Sequence, residues 1–432
     1  MAKLKHKPTK CGSFELLRNK TIHRGSKLMP EIIIEQNQNI SKYINMLQLP
    51  YSSSVRNHMI NMVSGIITTE GNKNVSSIYS KLTCNRDRSC GSRFLSEYNW
   101  NNEYVDHQRI SHSLHTVRKN VSENAVGFLI IDDSLSKKDK STKKIEGLDY
   151  HHSHSDGKTM WSHCVVSSHY KVSEYSLPLS FKLYLRKQYF GKAKRRFRSK
   201  QELAKQLIDE FVLASTMTYL LIDAWYTSGK LMLHALKRGY HTIGRIKSNR
   251  VIYPGGIKTS IKAFSNLIRK NETCPVTVGD DTYYVYRYEG KINDLENAVI
   301  LLCWSKSDLS DKPAFVISTD VSLDDSIIPE YYQNRWDIEV SYRYHKNSLG
   351  FDEYQVESLT SIKRFWSMVF MAYTFLEIFR VSTRKTLKLR TIGDTIGYFR
   401  QQYLVDVAKF ACYCAVKGVA LESVITKLRI AA

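Results

Sequence analysis

The residues best suited to chemistry are Tyr332, Arg335, Glu339 and Lys346, spaced Y-x2-R-x3-E-x6-K. At about 100° per residue, Arg335, Glu339 and Lys346 fall about 60°, 20° and 40° back from Tyr332, so one helix projects all four from one side. A phenol, two cations and a carboxylate then share a single line of approach. A solvated helix surface carries the same mixture, so further acids must decide between the readings. Two apolar runs supply them. Residues 125–131 end in Asp132, Asp133 and Ser134, and residues 218–222 end in Asp223. Runs of this kind read as strands buried on both faces. Carboxylates at the ends of such strands are usually paired, hydrogen-bonded or bound to a cation, because isolated burial is costly.

The elements around these acids form an α/β layer. Further strands are expected at 160–168, 179–185 and 240–246, with helices at 201–215 and 228–238. Residues 247–325 alternate in short segments, such as 282–288 and 298–304, with turns at Gly255-Gly256 and Gly279-Asp280-Asp281, and read as a β-rich insertion. Pro329 then opens the helix bearing the clustered residues, and Gly350 follows its end. Upstream, residues 1–27 form a basic arm and 28–120 a small helical domain, with segments at 39–47, 55–67, 74–82, 92–98 and 107–117. That domain reads either as a helix-turn-helix-like DNA-binding unit, offering His58, Lys73, Lys81, Arg86, Arg88 and Arg93 to phosphates, or as an ordinary helical bundle. Residues 349–432 are a helical C-terminal region with a strongly apolar helix over 361–381.

The strand ends Ile131-Asp132-Asp133-Ser134 and Ile222-Asp223-Ala224-Trp225-Tyr226, followed by Tyr332-x2-Arg335-x3-Glu339-x6-Lys346, resemble the DDE transposases of bacterial insertion sequences that carry the YREK signature. The resemblance covers residues 125–348 directly. It implies an RNase-H-like mixed-sheet core over 121–348, in which three carboxylates bind two Mg²⁺ ions, with Mn²⁺ as an alternative. Such ions stabilise the attacking and leaving oxygens of an in-line displacement at phosphorus. The resemblance assigns Asp223 and Glu339 as the second and third acids. Asp132 and Asp133 both remain candidates for the first; alternation sends them to opposite faces, and the D-x-S pattern favours Asp132. Tyr332, Arg335 and Lys346 carry over as contacts to DNA phosphates, with structural ion pairs to Glu339 as the alternative. Trp336 is open between stacking on an unpaired base and packing in a core, and Trp304 is a second stacking candidate. The implied partners are double-stranded DNA, as terminal inverted repeats and as target, and a second copy of the chain on DNA.

Charge fits a polyanionic partner. Lys plus Arg number 64 against 41 Asp plus Glu, a formal net charge of +23. Between residues 186 and 200, Arg195, Arg196 and Arg198 belong to a basic run interleaved with Tyr189, Phe190 and Phe197, which suits a nucleic-acid backbone, as does the lysine-rich stretch 137–144. His151, His152, His154, His163 and His169 lack zinc-site spacing and read as a polar loop. Gly255-Gly256 lacks the lysine of a phosphate-binding loop, so no nucleotide cofactor is expected. The eight cysteines show no C-x2-C pair, the start has no apolar leader, and no run is long enough for a membrane span, so a cytoplasmic protein associated with the nucleoid through DNA is expected.

Overall fold

Five helices come first: α1 (Gln38–Met46), α2 (Ser53–Thr68), α3 (Val75–Lys81), α4 (Arg88–Ser96) and α5 (Asn102–Asn120). Asn37, Ser52 and Asn101 start three of them by accepting backbone N–H bonds in the first turn. The computed structural model describes residues 37–81, 88–153, 156–212, 217–292 and 295–428, without the side chains of residues 80, 81, 88, 192–195 and 427. The arm at 1–27, Arg86 and His154 therefore lie outside the described residues, as do the side chains of Lys81 and Arg88.

The sheet begins with β1 (Gly127–Lys137), then β2 (Asp149–Ser153), β3 (Lys158–Val172) and β4 (Tyr175–Tyr184) as antiparallel neighbours. After α6 (Lys200–Glu210), β5 (Thr218–Ile222) returns parallel to β1; after α7 (Gly229–Lys237), β6 (His241–Arg245) returns parallel to β5. The helices are the crossovers that parallel pairing demands. The resulting β4-β3-β1-β5-β6 order, part antiparallel and part parallel, is a mixed α/β sheet consistent with an RNase-H-like DDE fold.

The insertion contributes β7 (Val251–Ile252), β8 (Thr259–Ser260), α8 (Ile261–Ser265), β9 (Cys274–Val278), β10 (Asp281–Ile292), β11 (Leu295–Trp304) and β12 (Ala314–Ser318). It prolongs the sheet, because β12 pairs antiparallel with β6 and the order continues β6-β12-β11-β10. From β12 the chain passes into α9 (Ile327–Gln333) and α10 (Trp336–Asn347). The expected single helix is thus divided. Asn334 donates its side-chain amide to the carbonyls of Glu330 and Tyr331, and the backbone tightens to three-residue bonds at Arg335 and Asp337.

The chain ends in α11 (Leu359–Leu387), α12 (Ile392–Val416) and α13 (Leu421–Leu428). Ile44, Met59, Ile66 and Phe94 from the first helices share one buried cluster with Phe365, Met368 and Leu376 of α11 and Phe399 of α12. The N- and C-terminal helical regions, read separately in the sequence, share this core. Arg109 fastens it to the sheet: fully buried, it pairs with Asp106 and donates to the carbonyls of Pro178 and Leu179 and to Thr374. Among the described residues, no helix is long and apolar enough to cross a membrane.

Two of the phosphate-binding candidates are withdrawn by burial. His58 is 0% exposed, bonded to the Tyr79 hydroxyl and stacked on Phe94, and Lys73 is 3% exposed with its amine on the Gly71 carbonyl. The described histidines of the expected polar loop lie instead in β2 and β3. Burial holds His163 down at about 4, and its ring bonds the Tyr354 hydroxyl and the Glu146 carbonyl.

Candidate active site

Strand parity decides which acids meet. On one face of the sheet, Phe128 and Ile130 of β1 and Tyr219 and Leu221 of β5 pack against Ile328 of α9 and Ile338 of α10. On the other, Leu129, Ile131, Leu220 and Ile222 pack against Leu203 and Leu207 of α6. Side chains alternate along a strand, so Asp132 and Asp223 extend the first face and Asp133 extends the second. The first strand does not end at its acids as expected, because pairing with β3 carries β1 on to Lys137; Ile131 is level with Ile222 in the parallel ladder, which brings Asp132, part-way along β1, beside Asp223, which follows the end of β5.

Contacts follow this division. Arg335 donates to Asp132 Oδ2 at 3.1 Å and also to Glu339 Oε1, so one guanidinium bridges an acid of β1 and an acid of α10. Asp133 turns away: its carboxylate meets Lys200 Nζ at 2.7 Å and accepts from the Tyr226 hydroxyl at 3.0 Å. Asp223 Oδ1 accepts the backbone amides of Trp225 and Tyr226 at 2.9 and 3.0 Å, a turn that locks the carboxylate at its strand end. Helix α10 is tied to β1 twice more, by the Tyr342 hydroxyl on the Asp132 carbonyl and by Lys346 Nζ on the Leu135 carbonyl, 2.9 and 2.8 Å respectively.

Electrostatics mark Asp132. Desolvation, then the charges of Asp223 and Asp133, push its carboxyl up to about 7 against the opposing pull of Arg335. Burial likewise raises the Tyr332 phenol, with Asp223 adding to the shift and Arg335 and Arg245 opposing it. Arg245, missed in the sequence, follows the β6 residue paired with Ile222 and so lies level with Asp223. Hard carboxylate oxygens crowded together suit a divalent cation, which would relieve the repulsion that raises Asp132. Among the described residues, no three His, Cys, Asp or Glu side chains are grouped closely enough to hold one ion as they stand; the Arg335 guanidinium lies between Asp132 and Glu339.

Residues 48–261 match the model of the DDE superfamily endonucleases, and residues 194–375 match that of the transposase DDE domain. The first span holds Asp132 and Asp223, the second Asp223 and Glu339. The matches support a DDE transposase. No curated protein matches the chain.

The other predicted residues of this transposase-like site divide by exposure. Trp336 is 58% exposed at the start of α10, which removes the core reading. Trp304 is 2% exposed within the core of the insertion, beside Leu302 and Phe315, and as it stands offers no face to a base. It follows the parity of Leu302 into this core, while Cys303 enters the buried cluster on the other face of β11. Lys346 is partly buried, with its amine on β1 rather than directed outward. Arg196 and Arg198 are exposed near α6, and the side chain of Arg195 lies outside the described residues. Tyr342 was also missed, Tyr226 was quoted only within the Asp223 motif, and Lys200, read as part of the basic run, is instead paired with Asp133; each works through a partner distant in sequence.

Proposed function

We propose that this protein is the transposase of a bacterial insertion sequence of the YREK type, binding the inverted terminal repeats of its element as a dimer, cleaving their ends and joining the freed 3′-hydroxyl to target DNA. One observation carries the reading: Asp132, Asp223 and Glu339 extend from two neighbouring parallel strands and a helix on the same face of the sheet, with Arg335 between two of them. In this reading the three acids would hold divalent cations, Mg²⁺ by preference, which would activate water and offset charge at phosphorus. Asp133, paired with Lys200 and Tyr226, braces β1 against α6 and holds no ion. Tyr332 and Arg335 are the groups offered to phosphate oxygens, arginine through its fork and tyrosine through one hydrogen bond. Lys346 and Tyr342 fix α10 on β1 and so set the position of Glu339.

The test is incubation with Mg²⁺ and a duplex carrying the end of the element. Nicking followed by strand joining is expected; nicking without joining reduces the protein to a nuclease, and absence of both refutes the enzyme. Asp223→Ala abolishes nicking while retaining end binding, and loss of binding instead contradicts its role as an ion ligand.

A further inference from the structure

A cavity of about 690 Å³ opens beside the insertion, on the face of the sheet away from α9 and α10. Trp304 and Phe315, which border it, share a buried cluster with Met232 of α7, whereas Ile338 of α10 packs with Cys303 and Val316 on the other face. The cavity is therefore no part of the acid cluster. Its two walls are the segment from Lys262 to Lys270 and the β11–β12 loop from Asp308 to Pro313. Both are fastened to the sheet: the Lys262 amide donates to the Ser248 carbonyl at 2.9 Å, and the Phe315 carbonyl accepts from the Ile246 amide at 3.0 Å.

Apolar and cationic groups line it together. Phe315, Ile268 and Leu309 supply apolar surface, and Lys262, Lys270 and Lys312 are exposed around it. Among the described residues, none of these three lysines is held in an ion pair. The two carboxylates of the lining are engaged inside their own loop, Asp311 with the Ser305 and Lys306 amides and the Ser305 hydroxyl, Asp308 with the Ser310 amide. Leu309 stands between them at a φ of 56°, in the left-handed region that residues other than glycine rarely enter, so the turn built by the two aspartates holds an aliphatic side chain on the cavity wall. A concave site of this size, with apolar walls and a few unpaired charges of one sign, fits a small organic anion. A bare inorganic anion would leave the apolar walls in water, and a duplex backbone brings no apolar group to cover them.

We propose that this cavity binds a small organic anion, an aromatic or aliphatic body carrying a carboxylate or phosphate, with the body against Phe315 and Leu309 and the charge met by Lys262 and Lys312. Such a ligand bridges the two walls and so joins the loop before β12 to the segment that follows β6. The site stands apart from the DNA-cleaving reading and lies on the other face of the sheet from Asp132 and Glu339.

The experiment uses the full chain freed of nucleic acid and two fluorescent probes that differ by one charged group, anilinonaphthalene sulfonate and its uncharged parent phenylnaphthylamine. Wild-type protein is expected to bind the sulfonate at a single saturable site, about tenfold or more tighter than the uncharged probe. The double variant Lys262→Glu with Lys312→Glu should lose about tenfold or more in sulfonate affinity and leave phenylnaphthylamine unchanged. Leu309→Asn, which keeps a residue tolerant of the left-handed backbone but removes the apolar wall, should weaken both probes. Equal sulfonate affinity in wild type and the double variant overturns the proposal, as does equal affinity of the wild type for the two probes or the absence of a saturable site. Displacement of the sulfonate by inorganic phosphate at the probe's own concentration, or by an equimolar DNA duplex, also overturns it, because the lysines would then serve any phosphate or the DNA backbone. An unchanged melting temperature in the variants separates lost binding from lost folding.

Discussion

Replacing Asp132 and Asp133 separately by Asn distinguishes two neighbours that differ in sequence by one position and in environment by one face of a sheet. The Asp132 carboxyl is pushed from an ordinary 3.8 up to about 7. A carboxyl raised in the folded state contributes stability that is fully present below the unfolded value and is lost as pH rises through the folded one. Each pH unit between about 4 and 7 then removes about 1.4 kcal/mol, about 4 kcal/mol across the window at most. With its side chain 17% exposed, solvent screening reduces this to about half. Asn cannot ionise, so without metal Asp132→Asn should match the wild type near pH 4 and exceed it by about 2 kcal/mol at pH 8. Asp133→Asn strips Lys200 of its ion-pair partner and should cost about 1–3 kcal/mol at pH 8. Urea unfolding of all three proteins at matched pH values measures both effects, since titrations shared by the three cancel in the differences. Added Mg²⁺ should stabilise the wild type and Asp133→Asn but not Asp132→Asn, and only Asp132→Asn should abolish nicking. A pH-independent difference between Asp132→Asn and wild type, or cleavage that survives in Asp132→Asn and vanishes in Asp133→Asn, refutes the assignment.

Other outcomes follow from the packing. Arg109→Met leaves Asp106 buried without its partner and should cost about 3–5 kcal/mol in urea unfolding. Burial holds His163 and His151 down at about 4 and His345 at about 3, so stability present above pH 6.5 should fall as pH drops below it; His345→Phe should flatten that decline in thermal unfolding scans. Lys346→Met should reduce cleavage about tenfold or more while leaving duplex affinity within about twofold, because its amine holds the Leu135 carbonyl; an equal loss in both would return Lys346 to the phosphate contacts.

Strand existence was legible where apolar runs were continuous, as in β1 and β5, and so was the acid after β5, whereas β1 runs on past its acids to Lys137 because β3 pairs with the polar residues that follow them. Alternation showed that Asp132 and Asp133 diverge, but not which face receives α10, because that depends on packing between residues two hundred positions apart. Short or polar strands escaped: β2 carries His151 and His152, and its strand character comes from pairing with β3. His58 and Lys73 looked available because polarity usually means exposure, whereas the Tyr79 hydroxyl gives His58 a partner inside the core. Trp304 and Trp336 are chemically alike, and only parity against the insertion core separates the buried ring from the open one. The break at Asn334 was foreseeable from asparagine's competing hydrogen bonds, although the one-sided spacing survives it.

The core shared by the first helices and α11 also sets an order of events during synthesis. Helices α1 to α5 expose apolar faces that Phe365, Met368 and Leu376 will cover, but 238 residues lie between Asn120 and Leu359. A ribosome adding about 5–20 residues per second delivers that partner roughly ten to fifty seconds later. Through that interval the leading helices have no finished core, and the whole sheet must emerge before α11 can complete it. The two ends of the chain therefore mature together and last, so a product truncated before α11 would be left with an open apolar face and a poorly held front layer.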